Sequence, residues 1–177
     1  MAAALQYRLA LTPEMIDACY HLRHRVYAEE RPWEPMDMAE LEKDAYDRKA
    51  AHVLVLWHDH PIATARLCPG PHLPLQKYLP DYKCPENAME IGRLCIPAPK
   101  TEQVFRRVEV MKCLSEGFDA LRQYYARRPV YALMRPAVQR VLARAGYGYG
   151  KVGPAVDCDG IRWLMKYDDP DLPPAFK

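Results

Sequence analysis

Apolar and polar positions along the chain fall into short alternating runs and longer helical stripes. Residues 5–11 alternate as a first strand, and Thr12-Pro13-Glu14 then marks a helix start, with Thr12 as N-cap and Pro13 at the first helical position. Along that helix Met15, Cys19, Leu22 and Val26 recur at helical spacing as a core stripe, with Ile16, Tyr20, Arg23 and Tyr27 beside them. Residues 52–57 and 61–67 predict two strands of a hairpin turned at His58-Asp59-His60. A long helix is predicted over 101–126, with Val104, Val108, Met111, Leu114, Phe118, Leu121 and Tyr125 on one face. Val130–Met134 reads as a strand, 136–145 as a helix stopped by Gly146, and 151–156 and Ile161–Tyr167 as strands around Asp159-Gly160. This order predicts an α/β (α+β) protein with a central mixed, twisted sheet flanked by helices.

One strand breaks the pattern. Residues 89–96, Met-Glu-Ile-Gly-Arg-Leu-Cys-Ile, are bounded by Pro85 and Pro97 and place two charges in an apolar run. Length and β-branched residues favour a buried strand, although periodicity alone does not separate it from a helix. Glu90 and Arg93 are three apart and would face opposite sides of a regular strand; a bulge near Gly92 would bring them together. Buried charges need partners, so this is either a structural ion pair or an active site.

Two irregular stretches surround it. Residues 31–47 hold two prolines, Trp33 and many carboxylates, which predicts a loop with one helical turn around 39–43. Its carboxylates Glu42, Asp44 and Asp47 precede a strong strand, so either at least one sits at the sheet's edge facing the same interior as Glu90 or the stretch is an ordinary acidic loop. Residues 69–85 are proline-rich with interspersed Leu and Tyr, forming either a packed irregular loop or a mobile cover. His58 and His60 flank Asp59 without a third ligand pattern, so turn residues are expected there and no metal.

Composition adds limits. The 177 residues are half hydrophobic, enough for one domain over 1–177 with an irregular tail at 168–177. Six cysteines without repeated spacing read as reduced packing thiols. A formal net charge of +2 without a basic tail argues against nucleic acid, and no apolar stretch reaches transmembrane length, so a cytoplasmic protein is expected.

The residues also carry a resemblance. Leu22-Arg23-His24-Arg25-Val26-Tyr27, then Trp33, then Glu42-Lys43-Asp44-Ala45-Tyr46-Asp47, then Arg66-Leu67, then Glu90-Ile91-Gly92-Arg93 occur in the order and spacing of the autoinducer (acyl-homoserine-lactone) synthase family. The sequence thus resembles those bacterial enzymes and the related N-acyl amino acid synthases, including acyltransferases associated with exosortase systems, over about residues 5–167. The resemblance implies a GNAT-like acyl-CoA N-acyltransferase fold and an acyltransferase activity. It also implies a charged cleft built from Arg23, Trp33, Asp44, Asp47, Arg66, Glu90 and Arg93. Arg23, Asp47 and Arg93 would form an ion-pair cluster, Trp33 would close the amine pocket, Tyr27 would line it, and Glu90 would be the general base with Arg93 beside it. A backbone N–H freed by a bulge near Gly92 is the expected oxyanion donor, and Cys95 has no nucleophilic role.

The resemblance also bears on donor and acceptor. Typical GNAT enzymes hold the coenzyme A pyrophosphate with a glycine-containing loop before the long helix. Here that segment is Pro97-Ala98-Pro99-Lys100-Thr101-Glu102-Gln103, which lacks glycine and loses two N–H donors to proline. The expected donor is therefore acyl-phosphopantetheine on an acidic acyl carrier protein, with acyl-CoA possible and no permanently bound cofactor. Lys100, Arg106, Arg107 and Lys112 are the candidate carrier contacts, with Arg122, Arg127 and Arg128 as further ones. Tyr27 stands where the synthase signature has phenylalanine, and Gly92-Arg93-Leu94 where it has serine-arginine-phenylalanine. These departures favour an amino acid or another small primary amine as acceptor. The runners-up are the lactone route from S-adenosylmethionine and, from another class, a non-catalytic adaptor that binds acyl carrier or lipid.

Overall fold

The structure is a computed structural model that describes residues 5–98, 107–126 and 128–171. Its strands are β1 (Gln6–Leu9), β2 (Ala51–Trp57), β3 (His60–Pro69), β4 (Met89–Cys95), β5 (Val130–Met134), β6 (Tyr149–Asp157) and β7 (Ile161–Tyr167). The helices are α1 (Pro13–His24), α2 (Arg107–Tyr124) and α3 (Pro136–Arg144). The seven strands form one mixed sheet in the order β1-β2-β3-β4-β5-β7-β6, with only β4 and β5 parallel.

Strand alternation assigns the two faces. On β2, Val53 and Val55 join the core under α2, whereas Leu54 joins Ala10, Cys19 and Leu22 under α1. Gly117 on α2 allows a close approach: a Cβ there would stand 2.4 Å from Val53 Cγ1. Thr12 caps α1 as expected, accepting the Met15 N–H at 3.4 Å.

Several boundaries differ from the sequence reading. β1 is shorter than expected, ending at Leu9; beyond it Ala10 gives its N–H to the His52 carbonyl at 2.9 Å before the chain turns into α1. The β2–β3 turn is tighter, with two residues, His58 and Asp59, both at positive φ, the geometry that continues the strand twist through a short hairpin. No helical turn forms at 39–43. It lies instead at Ala45–Lys49, where the Asp44 side chain accepts the Tyr46 N–H and the Asp47 side chain accepts the Asp44 N–H, a reciprocal cap that fixes the start. The stretch 69–85 is a packed loop, with Leu73 and Leu75 fully buried. The expected start of the long helix at 101–106 lies outside the described residues.

Two irregularities position the site. α1 passes into a π-helical turn at Arg25–Glu30, whose Tyr27 carbonyl accepts the N–H groups of both Trp33 and Glu34, at 2.9 and 3.0 Å. Between the Arg66–Gly92 and Thr64–Cys95 pairs, β4 carries one more residue than β3, and Arg93 there has φ +50°. This is the bulge near Gly92, with a non-glycine residue in the left-handed region.

Candidate active site

β4 and β5 pair only at Met89–Val130 and Glu90–Tyr131 before they diverge. Beyond that point the sheet opens into a cavity of ≈ 200 Å³. Its lining combines charged and aromatic residues, Glu90, Arg93, Arg66, Tyr27, Trp33 and Tyr149, with apolar ones, Met111, Leu114, Phe118 and Leu142. A neighbouring cavity of ≈ 160 Å³ shares Tyr27, Trp33 and Leu94 with it and runs toward Arg107 at the start of α2 and Ala137 and Val141 on α3.

Glu90 sits where the strands part, 6% exposed, and accepts the Leu75 N–H at 2.6 Å. Burial pushes its carboxyl up to about 7, while the Leu75 N–H, Arg66 and Arg93 pull the other way without prevailing. The group therefore exchanges a proton near neutrality, as a general base must. The bulge turns Arg93 into the same cavity as Glu90.

The other charges form a closed network. Arg23, completely buried on α1, holds Asp47 with two bonds, at 2.7 and 3.0 Å, and also pairs with Glu42. Arg66 on β3 contacts Asp44 at 2.7 Å and Asp47 at 2.9 Å. Burial alone would raise the Asp47 carboxyl; Arg23, Arg66 and the Asp44 N–H override it and hold it well below the usual carboxylate range. Arg93 departs from expectation, because its partners are Glu34 at 2.9 Å, Glu42 at 3.1 Å and Asp44 at 3.4 Å. Arg66 takes the place beside Arg23 and Asp47 that the sequence reading assigned to Arg93. The cause is register, since Arg66 pairs with Gly92 while the bulge carries Arg93 past it toward the 31–44 loop.

Tyr27 donates its hydroxyl to the Leu94 carbonyl at 3.1 Å, pinning the bulge, and its ring lies 5.6 Å from that of Trp33. Burial pushes the Cys95 thiol up to about 12, which leaves it protonated and unreactive near neutrality. His52 is buried beside the network; burial, the largest influence, pushes it down to about 4, so it is neutral. Among the described residues no group of three His, Cys, Asp or Glu is placed to hold a metal ion, and no helix is long and apolar enough to cross a membrane.

The carrier candidates divide. Arg107 and Lys112 are exposed on α2, while Lys100 and Arg106, like Arg127 and most of the glycine-free segment, lie outside the described residues. Arg122 is no surface contact: it is 4% exposed and paired with Asp119 at 2.6 Å and with Asp169. Sequence reasoning missed Glu34, the Leu75 N–H on Glu90, and the arginines at 31, 135 and 162. Only Arg31, two residues from Trp33, carried a local signal.

A sheet that opens between its two parallel strands, with a buried carboxylate at the opening, is the architecture of the GNAT acyltransferases. A family model described as an acetyltransferase (GNAT) domain matches residues 22–115, and the chain belongs to that family. It is an acyltransferase. Among solved structures, TofI in a ternary complex with an inhibitor and MTA is 22% identical, covering 97% of this chain and 100% of TofI with a TM-score of 0.75. The AHL synthase LasI is 17% identical, covering 93% and 90% with a TM-score of 0.71. BjaI, a CoA-dependent acyl-homoserine lactone synthase solved with SAM and isopentyl-CoA, is 18% identical, covering 93% and 82% with a TM-score of 0.69. At these identities the likeness is one of fold. No curated protein sequence matches the chain.

Proposed function

We propose that the protein is an N-acyl amino acid synthase, which moves a fatty acyl group from a thioester to the primary amine of an amino acid or similar small molecule. The observation that carries this reading is Glu90, a buried carboxyl raised to about 7 at the point where β4 and β5 part, in a cavity lined by both charged and apolar side chains. The apolar side chains take the acyl chain, and the neighbouring cavity toward α2 takes the donor's arm. Among the charged side chains the acceptor's ammonium gives a proton to Glu90. The freed nitrogen attacks the thioester carbonyl, the C–N bond forms, the C–S bond breaks, and the carrier leaves as a thiol. Backbone N–H groups of the bulge would stabilise the oxyanion. Arg93 holds the 31–44 loop over the cleft through Glu34, Glu42 and Asp44, and Trp33 and Tyr27 form its aromatic wall. Arg23, Arg66, Asp44 and Asp47 act as positioning residues.

For the donor, acyl carrier protein is favoured by the two prolines and absent glycine of residues 97–103 and by exposed Arg107 and Lys112. The structures of BjaI and MesI, both named CoA-dependent, supply the competing donor. Lactone formation from S-adenosylmethionine is the second reading, favoured by the SAM and MTA in the BjaI and TofI structures. Mass spectrometry of lipid extracts from bacteria expressing wild type or Glu90→Gln separates these readings. An N-acyl amino acid made by wild type alone supports the proposal. An acyl lactone supports the second reading, and equal product from both proteins removes Glu90 as base.

A further inference from the structure

Three guanidinium groups surround the Trp33 ring, with Arg31 and Arg135 each 5.0 Å and Arg162 5.5 Å from its centroid. They arrive from separate parts of the chain: Arg31 ends the π-helical turn, Arg135 joins β5 to α3, and Arg162 lies on β7. Met134, the last residue of β5, pairs with Trp163, so Arg135 and Arg162 each adjoin that last rung and bring like charges to the same end of the β5–β7 ladder. Like charges gathered there repel, and a negative group among them relieves that repulsion.

Arg23, Arg66 and Arg93 are matched by Glu34, Glu42, Asp44 and Asp47, whereas Arg31, Arg135 and Arg162 have no ion pair among the described residues. The acidic residues of the β6–β7 turn lie in the same neighbourhood, but no salt bridge joins them to these arginines. Asp157 accepts the Gly160 N–H at 3.0 Å, and Asp159 gives Arg135 its backbone carbonyl. Gly160 leaves the space that Arg135 occupies, since a Cβ there would stand 2.9 Å from the Arg135 Nη2. The guanidinium is thus seated by the turn without a salt bridge to it.

We propose that Arg31, Arg135 and Arg162, gathered about Trp33, form a carboxylate subsite that selects acceptors bearing a free carboxylate near the reacting amine. Planar guanidinium forks suit a carboxylate, and the indole holds them in place. Arg135 and Arg162 line the cavity that contains Glu90 but not the neighbouring cavity toward α2, whereas Arg31 lines both. The anion they bind therefore belongs to the acceptor rather than to the donor's phosphate. The assignment to an acceptor rests on the acylation reading above.

The test is isothermal titration calorimetry of the full chain with N-decanoylglycine and with its methyl ester. Wild type is expected to bind the acid at least about tenfold more tightly than the ester, as charge-assisted bonds to a carboxylate require. In the Arg31→Gln/Arg162→Gln double variant that ratio falls toward one, and Arg162→Lys, which keeps the charge without the fork, gives an intermediate ratio. Circular dichroism melting checks the variants' folding, and the wild-type comparison stands without them. Equal affinity for acid and ester, no binding of either, or an unchanged ratio in a folded double variant overturns the proposal. So does a loss of 4′-phosphopantetheine affinity in that variant with acid binding intact, which would give the arginines to the donor. Calorimetry needs no turnover: acid preference without acylation of any amine keeps the subsite and removes the synthase reading, and turnover with no acid preference does the reverse.

Discussion

Replacing Glu90 with glutamine changes one property at a time. The amide keeps the side chain's size and an oxygen for the Leu75 N–H, but it neither ionises nor takes up a proton. In the wild type, burial raises the carboxyl from 4.5 to about 7. Across that window the folded protein holds a proton that the unfolded chain has released, so this group makes stability fall as pH rises. At about 1.4 kcal/mol per unit, the fall is about 3 kcal/mol and is complete above about pH 8. Glu90→Gln lacks it, so the variant should gain about 3 kcal/mol on the wild type between pH 5 and pH 8 in guanidinium unfolding followed by tryptophan fluorescence. Activity moves the other way. Loss of a general base should lower kcat/KM about a hundredfold to ten-thousandfold, and the wild type's rise in rate around pH 7 should vanish with it. A stability difference that stays flat with pH, or a variant within about fivefold of wild-type turnover, would refute the reasoning.

Asp47→Asn leaves two buried arginines short of a partner and should cost about 3–5 kcal/mol in denaturant unfolding at pH 7. Because the Asp47 carboxyl is held below its ordinary value of 3.8, its stabilisation is present above about pH 4 and lost below it, so acid unfolding followed by circular dichroism should be flatter in this variant. Tyr27→Phe removes the bond to the Leu94 carbonyl and should lower stability by about 1 kcal/mol in thermal melts while turnover survives, as the phenylalanine of the synthase signature implies; no loss would mean that the bulge is held without it. Arg107→Glu with Lys112→Glu should weaken binding of an acidic acyl carrier protein and reduce its salt dependence, measured by calorimetry at two ionic strengths. Wild-type binding that is insensitive to salt would count against a carrier surface on α2.

Much of this arrangement was legible before any coordinates. Thr12-Pro13 begins α1 because its hydroxyl and ring act locally, and the Val130–Met134 and Ile161–Tyr167 strands follow from their apolar pattern. Glu90 and Arg93 stood out because charges inside an apolar strand are rare, and Gly92 marked the bulge that joins them. What was not legible depends on distant pairing. The partners of Arg93 are set by a one-residue register change against β3, and the partner of Glu90 is a backbone N–H from the 69–85 loop. Arg135 and Arg162 are 27 positions apart and meet Trp33 only through the β5–β7 ladder and the π-helical turn. The helical turn misplaced at 39–43 shows the same limit. Glu and Ala favour a helix there, but the paired aspartates at 44 and 47 nucleate it further on.

The two rungs between β4 and β5 have a mechanical consequence. The sheet is continuous in strand order yet nearly severed in hydrogen bonding, so β1–β4 and β5–β7 meet as two plates along a short seam. The core that α2 shares with both plates spans that seam from one side. A bound molecule whose own amides run along the gap would act as a staple between the plates. Its occupancy would register as slowed amide hydrogen exchange along β5.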